Sequence, residues 1–138
     1  MVIVDTSVAY KWFNEAETDS NLALELLDSH LRDQNEIIIP DLLLYELANA
    51  WSTKGALDAK QIKDNLRLFK KYHLKVISVT FDLIEKAIEL SKKNKISVYD
   101  ASYAVVAQER NCKLVTADNK FVDQINLPFI EKLSEYKD

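Results

Sequence analysis

Four carboxylates, Asp5, Glu46, Asp100 and Asp118, stand at positions where an acid needs a reason to be. Asp5 directly follows the apolar run Val2-Ile3-Val4, and Asp118 stands two residues beyond Leu114-Val115-Thr116. Asp100 sits in Ser97-Val98-Tyr99-Asp100, at the opening of a helical pattern. Glu46 lies inside another helical stretch. Its neighbours three and four residues away are Leu42, Leu43, Asn49 and Ala50, with no Lys or Arg inside one turn. A carboxylate that shares or borders a buried face is costly without a partner, so something cationic must come from elsewhere in the fold. Four oxygen donors without His or Cys suit a hard ion, Mg²⁺ or Mn²⁺, better than zinc. No nucleophilic Cys–His or Ser–His pair joins these acids, and a single glycine, Gly55, rules out a Gly-rich phosphate loop. The chemistry left is hydrolysis by metal-activated water. Three of the acids also have a plain structural reading, and Glu46, on its apolar face, has the weakest one. Ser97-x-x-Asp100 fits a capping box, Asp118 fits a helix N-cap, and Asp5 fits a turn.

The elements that must position these acids follow from hydrophobic periodicity. Val2–Val4, Ile37–Ile39 (closed by Pro40), Val76–Val79 and Leu114–Thr116 read as strands, and Pro128-Phe129-Ile130 as a final edge strand. Between them lie helical patterns. Thr6-Ser7 caps a short helix carrying Val8, Ala9, Trp12 and Phe13. Thr18, Asp19 or Ser20 caps a second with Leu22, Ala23, Leu26, Leu27 and Leu31 inward. Asp41 caps a third through Trp51, with Gly55 as its stop. Leu57–Tyr72 forms a fourth with Ile62, Leu66 and Phe69 inward. Thr80 caps a fifth with Leu83, Ile84, Ala87 and Ile88 on one face, and a sixth runs from Ser97 to about Asn111. Asp118 caps a short segment around Phe121-Val122. Strands alternating with helices predict an α/β fold with a mainly parallel sheet of four to five strands and helices on both faces. Ligands of such sheets gather beyond the carboxyl ends of the strands, the rim to which Asp5, Asp100 and Asp118 all map.

The bulk numbers fit one domain spanning residues 1–138, with 48% hydrophobic residues to build a core. The formal charge of −4 weighs at first against a nucleic-acid partner, but four acids sharing a cation bring the balance near zero. No window approaches the ~20 apolar residues of a membrane span, so no membrane partner is expected. The N-terminus lacks the pattern of a signal peptide, and the lone Cys112 reads as a small buried hydrophobe; both fit a cytoplasmic protein. His30 and His73 read as ordinary surface residues, since neither has a second ligand at metal-binding spacing. The last residues, Ser134–Asp138, are polar and read as a frayed end.

Val2-Ile3-Val4-Asp5-Thr6-Ser7 resembles the opening of a PIN domain. Leu44-Tyr45-Glu46-Leu47-Ala48-Asn49 resembles its second acidic motif, Ser97-Val98-Tyr99-Asp100-Ala101 the third and Leu114-Val115-Thr116-Ala117-Asp118 the fourth. Order, spacing and length are similar to those of small prokaryotic VapC-like toxins, over almost the whole chain. The resemblance implies a three-layer α/β/α fold and an Mg²⁺-dependent endoribonuclease, the toxin of a toxin–antitoxin pair. It also implies a homodimer, held inactive by a small antitoxin whose C-terminal segment lies over the active-site groove. Asp5, Glu46, Asp100 and Asp118 become the catalytic and metal-holding residues by this resemblance, with Ser7 and Thr116 supporting them by hydrogen bonds. Lys11 and Lys120, a few residues from Asp5 and Asp118, are candidates to touch a scissile phosphate. Lys60, Lys63, Arg67, Lys70 and Lys71 read as a solvated helix face or as a stripe for RNA. Trp12, Phe13 and Trp51 read as core or dimer-interface residues. Asp123 reads as a surface acid. Two rival functions stay open. One is a non-catalytic PIN-like module that binds RNA or protein. The other is an Mg²⁺-dependent phosphotransfer or receiver-type domain, although its paired acids near the first strand are missing.

Overall fold

Val2-Ile3-Val4 and Ile37-Ile38-Ile39 carry no polar side chain on either face, a pattern suited to strands covered on both sides. The computed structural model describes residues 1–137 and buries both runs completely. They form the middle of a five-stranded, all-parallel sheet in the order β3-β2-β1-β4-β5. The strands are β1 (Val2–Val4), β2 (Ile37–Pro40), β3 (Lys75–Ile77), β4 (Lys113–Thr116) and β5 (Ile130–Lys132). The connections hold α1 (Thr6–Lys11), α2 (Ser20–Leu31), α3 (Leu42–Thr53), α4 (Ala59–Lys70), α5 (Phe81–Asn94), α6 (Val98–Glu109) and α7 (Asn119–Ile125). This is the three-layer α/β/α arrangement. Among the described residues no helix is long and apolar enough to cross a membrane.

Strand order reverses at β1, which pairs with β2 on one side and β4 on the other. Such a reversal opens a crevice beyond the carboxyl ends of the strands. Asp5, at the end of β1, and Asp118, just past β4, therefore border one crevice. Helix α6 lies against β1, β2 and β4, and every residue from Ala101 to Ala107 is buried. Its small Ala101, Ala104 and Ala107 allow that close approach. Trp12, Phe13, Trp51, Phe69 and Tyr72 form one aromatic cluster with centroids 4.9–6.4 Å apart, which ties α4 to α1 and α3. Trp12 Nε1 donates to the Ala23 carbonyl at 2.8 Å, so this ring is a core residue.

Several local expectations change. Asp5, rather than Thr6 or Ser7, caps α1, with its side chain accepting from the Val8 N–H. Asp41 does not cap α3; its Oδ2 accepts from the Val79 N–H at 3.1 Å. That contact draws Val79 out of β3, which ends at Ile77. β5 begins at Ile130, two residues later than the sequence suggests, because Pro128 and Phe129 form a turn. Leu66 is 44% exposed, since Ile62 and Phe69 already cover the inner stripe of α4; Leu31 and Ile88 are likewise exposed. Cys112 is only half-buried. His30 is not a surface residue. Its Nδ1 accepts from the Ile37 N–H at 3.1 Å, so Nε2 carries the proton and donates to the Tyr72 carbonyl at 2.9 Å. The ring thereby joins α2, the start of β2 and the α4–β3 turn.

Candidate metal centre

The crevice is organised around Asp5. Both of its carboxylate oxygens are engaged: Ser7 Oγ and the Val8 N–H donate to Oδ1, and Thr116 Oγ1 donates to Oδ2. The β4–α7 turn aims these hydroxyls. The Ala117 N–H donates to Ser7 Oγ at 2.8 Å and the Asp118 N–H to Thr116 Oγ1 at 3.0 Å. Each hydroxyl, having accepted from the backbone, has its proton free to point at Asp5. Burial nevertheless pushes the Asp5 carboxyl up to about 6; the hydrogen bonds from Ser7, Thr116 and Val8 pull the other way, and the Asp100 charge adds to the rise. The site therefore holds negative charge that the protein compensates only in part.

Glu46 reaches the same rim from the second turn of α3. Its Oε1 accepts from Tyr103 OH at 2.6 Å and from Thr6 Oγ1 at 3.2 Å. The partner that the sequence demands for Glu46 is thus a pair of hydroxyls rather than a Lys or Arg, and both fall on one oxygen. Burial and the bond to Glu46 drive the Tyr103 phenol well above its ordinary range, so it stays a donor. Asp100, in the first turn of α6, is half-buried. Its N–H donates to Ser97 Oγ at 3.0 Å, which is one half of a capping box; no reciprocal bond ties its carboxylate to the Ser97 N–H among the described residues. Burial raises the Asp100 carboxyl, and the charge of Asp118 adds to that. Asp118 does cap α7: its Oδ1 accepts from the Phe121 N–H at 3.0 Å.

Hydrogen bonds and mutual repulsion link Asp5, Asp100 and Asp118 in series, while Glu46 joins through Thr6 and Tyr103. Among the described residues none of the four forms an ion pair within 4.0 Å. Nor do three or more His, Cys, Asp or Glu side chains there close around a point that could hold an ion. The donor chemistry fits a hard divalent cation: carboxylate oxygens only, a partly desolvated and uncompensated negative field, and no competing protein cation.

A polar cleft of about 630 Å³ adjoins the acids, lined by residues of α1, α3 and the turn into α7. Glu46, Ser7 and Asp118 belong to it, as does Lys120. Lys11 also lines it, but this residue is only 8% exposed, and its ammonium donates to the Thr18 carbonyl at 2.6 Å and lies 3.6 Å from Glu17. It fastens α1 to the following loop and is not free for a phosphate. None of Lys60, Lys63, Arg67, Lys70 and Lys71 lines the cleft; all five are exposed, four on α4 and Lys71 at its C-cap, and Arg67 pairs with Asp64. Asp123 pairs with Lys132 at 2.9 Å and takes no part. Thr6, Tyr10, Tyr103 and Lys54 were not singled out from the sequence as site residues. Tyr103 had a readable signal, three residues beyond Asp100 on one helix face.

Among solved structures the fold is similar to the Mycobacterium tuberculosis VapC20, a sarcin–ricin loop cleaving toxin (TM-score 0.71, 19% identity, 89% of this chain and 94% of that one). It is also similar to VapBC2 from Rickettsia felis, bound to a DNA fragment from their promoter (TM-score 0.71, 24% identity, 96% and 98%). A third is PAE2754 from Pyrobaculum aerophilum (TM-score 0.70, 22% identity, 96% and 89%). No curated protein sequence matches this one. These structural likenesses establish the fold, and the sequence itself carries the assignment further: residues 2–125 match the PIN domain family, so the chain is a member of that family.

Proposed function

We propose that this protein is a divalent-metal-dependent endoribonuclease, the toxin of a toxin–antitoxin pair. The observation that carries the reading is Asp5. It is a carboxylate at the strand-order reversal, pushed up to about 6 by burial and oriented by Ser7 and Thr116, with no protein cation beside it. Asp5, Glu46, Asp100 and Asp118 would hold Mg²⁺ or Mn²⁺. Bound there, such an ion would supply an activated water and stabilise charge on the phosphate under attack. The protein's own part is positional. Ser7 and Thr116 fix the Asp5 carboxylate, Tyr103 and Thr6 fix one oxygen of Glu46, and the Phe121 N–H fixes one of Asp118; the second oxygens of Glu46 and Asp118 and the remaining lone pair of Asp5 Oδ2 stay available. Lys120, exposed beside Asp118 and without an ion-pair partner among the described residues, is suited to meet a phosphate.

The receiver-type alternative loses support from the same geometry. Such a domain needs a second carboxylate beside the accepting aspartate, and the positions after Asp5 hold Thr6 and Ser7, whose hydroxyls donate to Glu46 and Asp5. The toxin role and the antitoxin partner draw support from solved neighbours that are themselves toxin–antitoxin complexes, from Klebsiella pneumoniae and Rickettsia felis. A homodimer and a single-domain chain belong to the same reading. The test is cleavage of single-stranded RNA by purified protein in Mg²⁺ or Mn²⁺. Activity should vanish with EDTA and in Asp5→Asn. Protein that binds RNA but never cuts it in either metal would favour the non-catalytic module.

A further inference from the structure

The cleft extends away from the acids along α3. Glu46, Ala50 and Lys54 recur at four-residue spacing, so they lie on one face over about 12 Å of helix axis. Ala50 is buried and leaves a smooth floor between a carboxylate at one end and an ammonium at the other. The Lys54 ammonium sits over the Tyr10 ring, 5.3 Å from its centroid, and has no carboxylate within 4.0 Å among the described residues. A cation held on a ring face is pre-positioned at little entropic cost. Asn119 and Asn49 also line the cleft, with no side-chain hydrogen bond among the described residues. The volume suits a nucleotide-sized ligand. A polar, cation-ended lining suits an anionic one.

We propose that Lys54, seated on Tyr10, is a phosphate anchor for the linkage flanking the one held at the acids. This makes the cleft between them the binding place of the intervening nucleotide. The inference rests on the RNA-cleaving reading for its ligand. Two phosphates are then handled differently along one groove, one at the acidic end where a metal would be held and its neighbour at the fixed ammonium. The anchor also gives the strand a register, because a substrate lacking the flanking phosphate leaves Lys54 unused.

The test uses oligoribonucleotides of three or four residues, with each linkage in turn replaced by a neutral methylphosphonate. Binding is measured by anisotropy in EDTA over a range of salt concentrations. Wild-type protein should lose about tenfold in affinity when one particular linkage is neutral, the worth of one charge-assisted contact. Lys54→Ala should bind about tenfold more weakly, be indifferent to that linkage, and show a salt slope shallower by about 0.7. Lys54→Arg should restore the slope. Tyr10→Phe should behave as wild type, and Tyr10→Leu as Lys54→Ala. Lys60→Ala, outside the cleft, should change neither linkage preference nor relative affinity between oligomers. Equal sensitivity of wild type and Lys54→Ala to every neutral linkage overturns the anchor, as does an unchanged salt slope in Lys54→Ala. If the linkage preference is present but nothing is cleaved in Mg²⁺ or Mn²⁺, the anchor stands and the nuclease reading fails.

Discussion

Replacing Asp5 by Asn should make the metal-free protein more stable near neutral pH. Burial raises this carboxyl from 3.8 to about 6 in the folded state. Below about pH 3.8 the side chain is protonated in both folded and unfolded chains, and its shift costs nothing. As pH rises from there to about 6, the unfolded chain releases the proton while the folded protein keeps it. The folded state then binds more protons than the unfolded one, so stability falls across that window. Above about pH 6 the loss is complete and amounts to about 3 kcal/mol. An amide has no such term. Its oxygen can accept from Ser7 and Val8, but its NH₂ must donate to Thr116 Oγ1, which already accepts from the Asp118 N–H. Thr116 must turn its proton towards Ser7 Oγ, 3.3 Å away, a rearrangement costing about 1 kcal/mol. The net gain is about 2 kcal/mol, or about 6 °C in Tm for a chain of this length. Urea and thermal unfolding of both proteins in EDTA, from about pH 4 to about pH 8, measures it. The gap should be absent or reversed at the acid end and open through about pH 6. A variant less stable than wild type at every pH, or stabilised equally at every pH, refutes the argument that the buried charge is uncompensated.

In RNA cleavage assays with Mg²⁺ or Mn²⁺, Asp5→Asn and Asp100→Asn should each abolish activity while circular dichroism stays that of the wild type. Added Mg²⁺ should raise the Tm of the wild-type protein and move Asp5→Asn far less, because ligand binding stabilises only a fold that holds the ligand; equal shifts would place the ion elsewhere. Tyr103→Phe removes the 2.6 Å bond to Glu46 and should cost about 1–3 kcal/mol in urea titrations, with reduced cleavage, since it frees a half-buried carboxylate. His30→Ala loses its bonds to the Ile37 N–H and the Tyr72 carbonyl and should destabilise by about 2–4 kcal/mol without changing metal-stimulated activity per folded molecule. A large drop in specific activity would mean that His30 serves the crevice as well as the fold.

The fold was legible where residue type alone decides the environment. Ile37-Ile38-Ile39 can be satisfied only between two helical layers, and the acid after Val2-Ile3-Val4 lands on the rim by the geometry of parallel sheets. Sequence was less informative where a side chain has two possible partners. Asp41 looks like a helix cap until Val79, thirty-eight residues on, offers it an N–H. His30 looks solvent-facing because its partners, Ile37 and Tyr72, belong to other elements. Leu66 fits the apolar period of α4, yet the groove it faces, shared with Leu44, Phe69 and Val76, stays open, and Leu66 remains exposed.

The same distinction governs the site. A lone acid on an apolar helix face announces itself, because few environments tolerate it, and Glu46 was found that way. How that charge is tolerated leaves no mark in the sequence: two neutral hydroxyls, Thr6 and Tyr103, converge on one oxygen, and neither residue type is unusual where it stands. Hydroxyls carry no net charge and fit cores and surfaces alike, so their role is set by direction rather than by identity. At Asp5 that direction comes from the backbone. The Ala117 and Asp118 amides occupy the acceptor sides of Ser7 and Thr116 and leave their protons for the carboxylate. The β4–α7 turn thus works on Asp5 from more than a hundred residues away in the chain. A substitution that alters only this turn's backbone, leaving every acid in place, should disturb the site as deeply as the loss of Ser7 or Thr116.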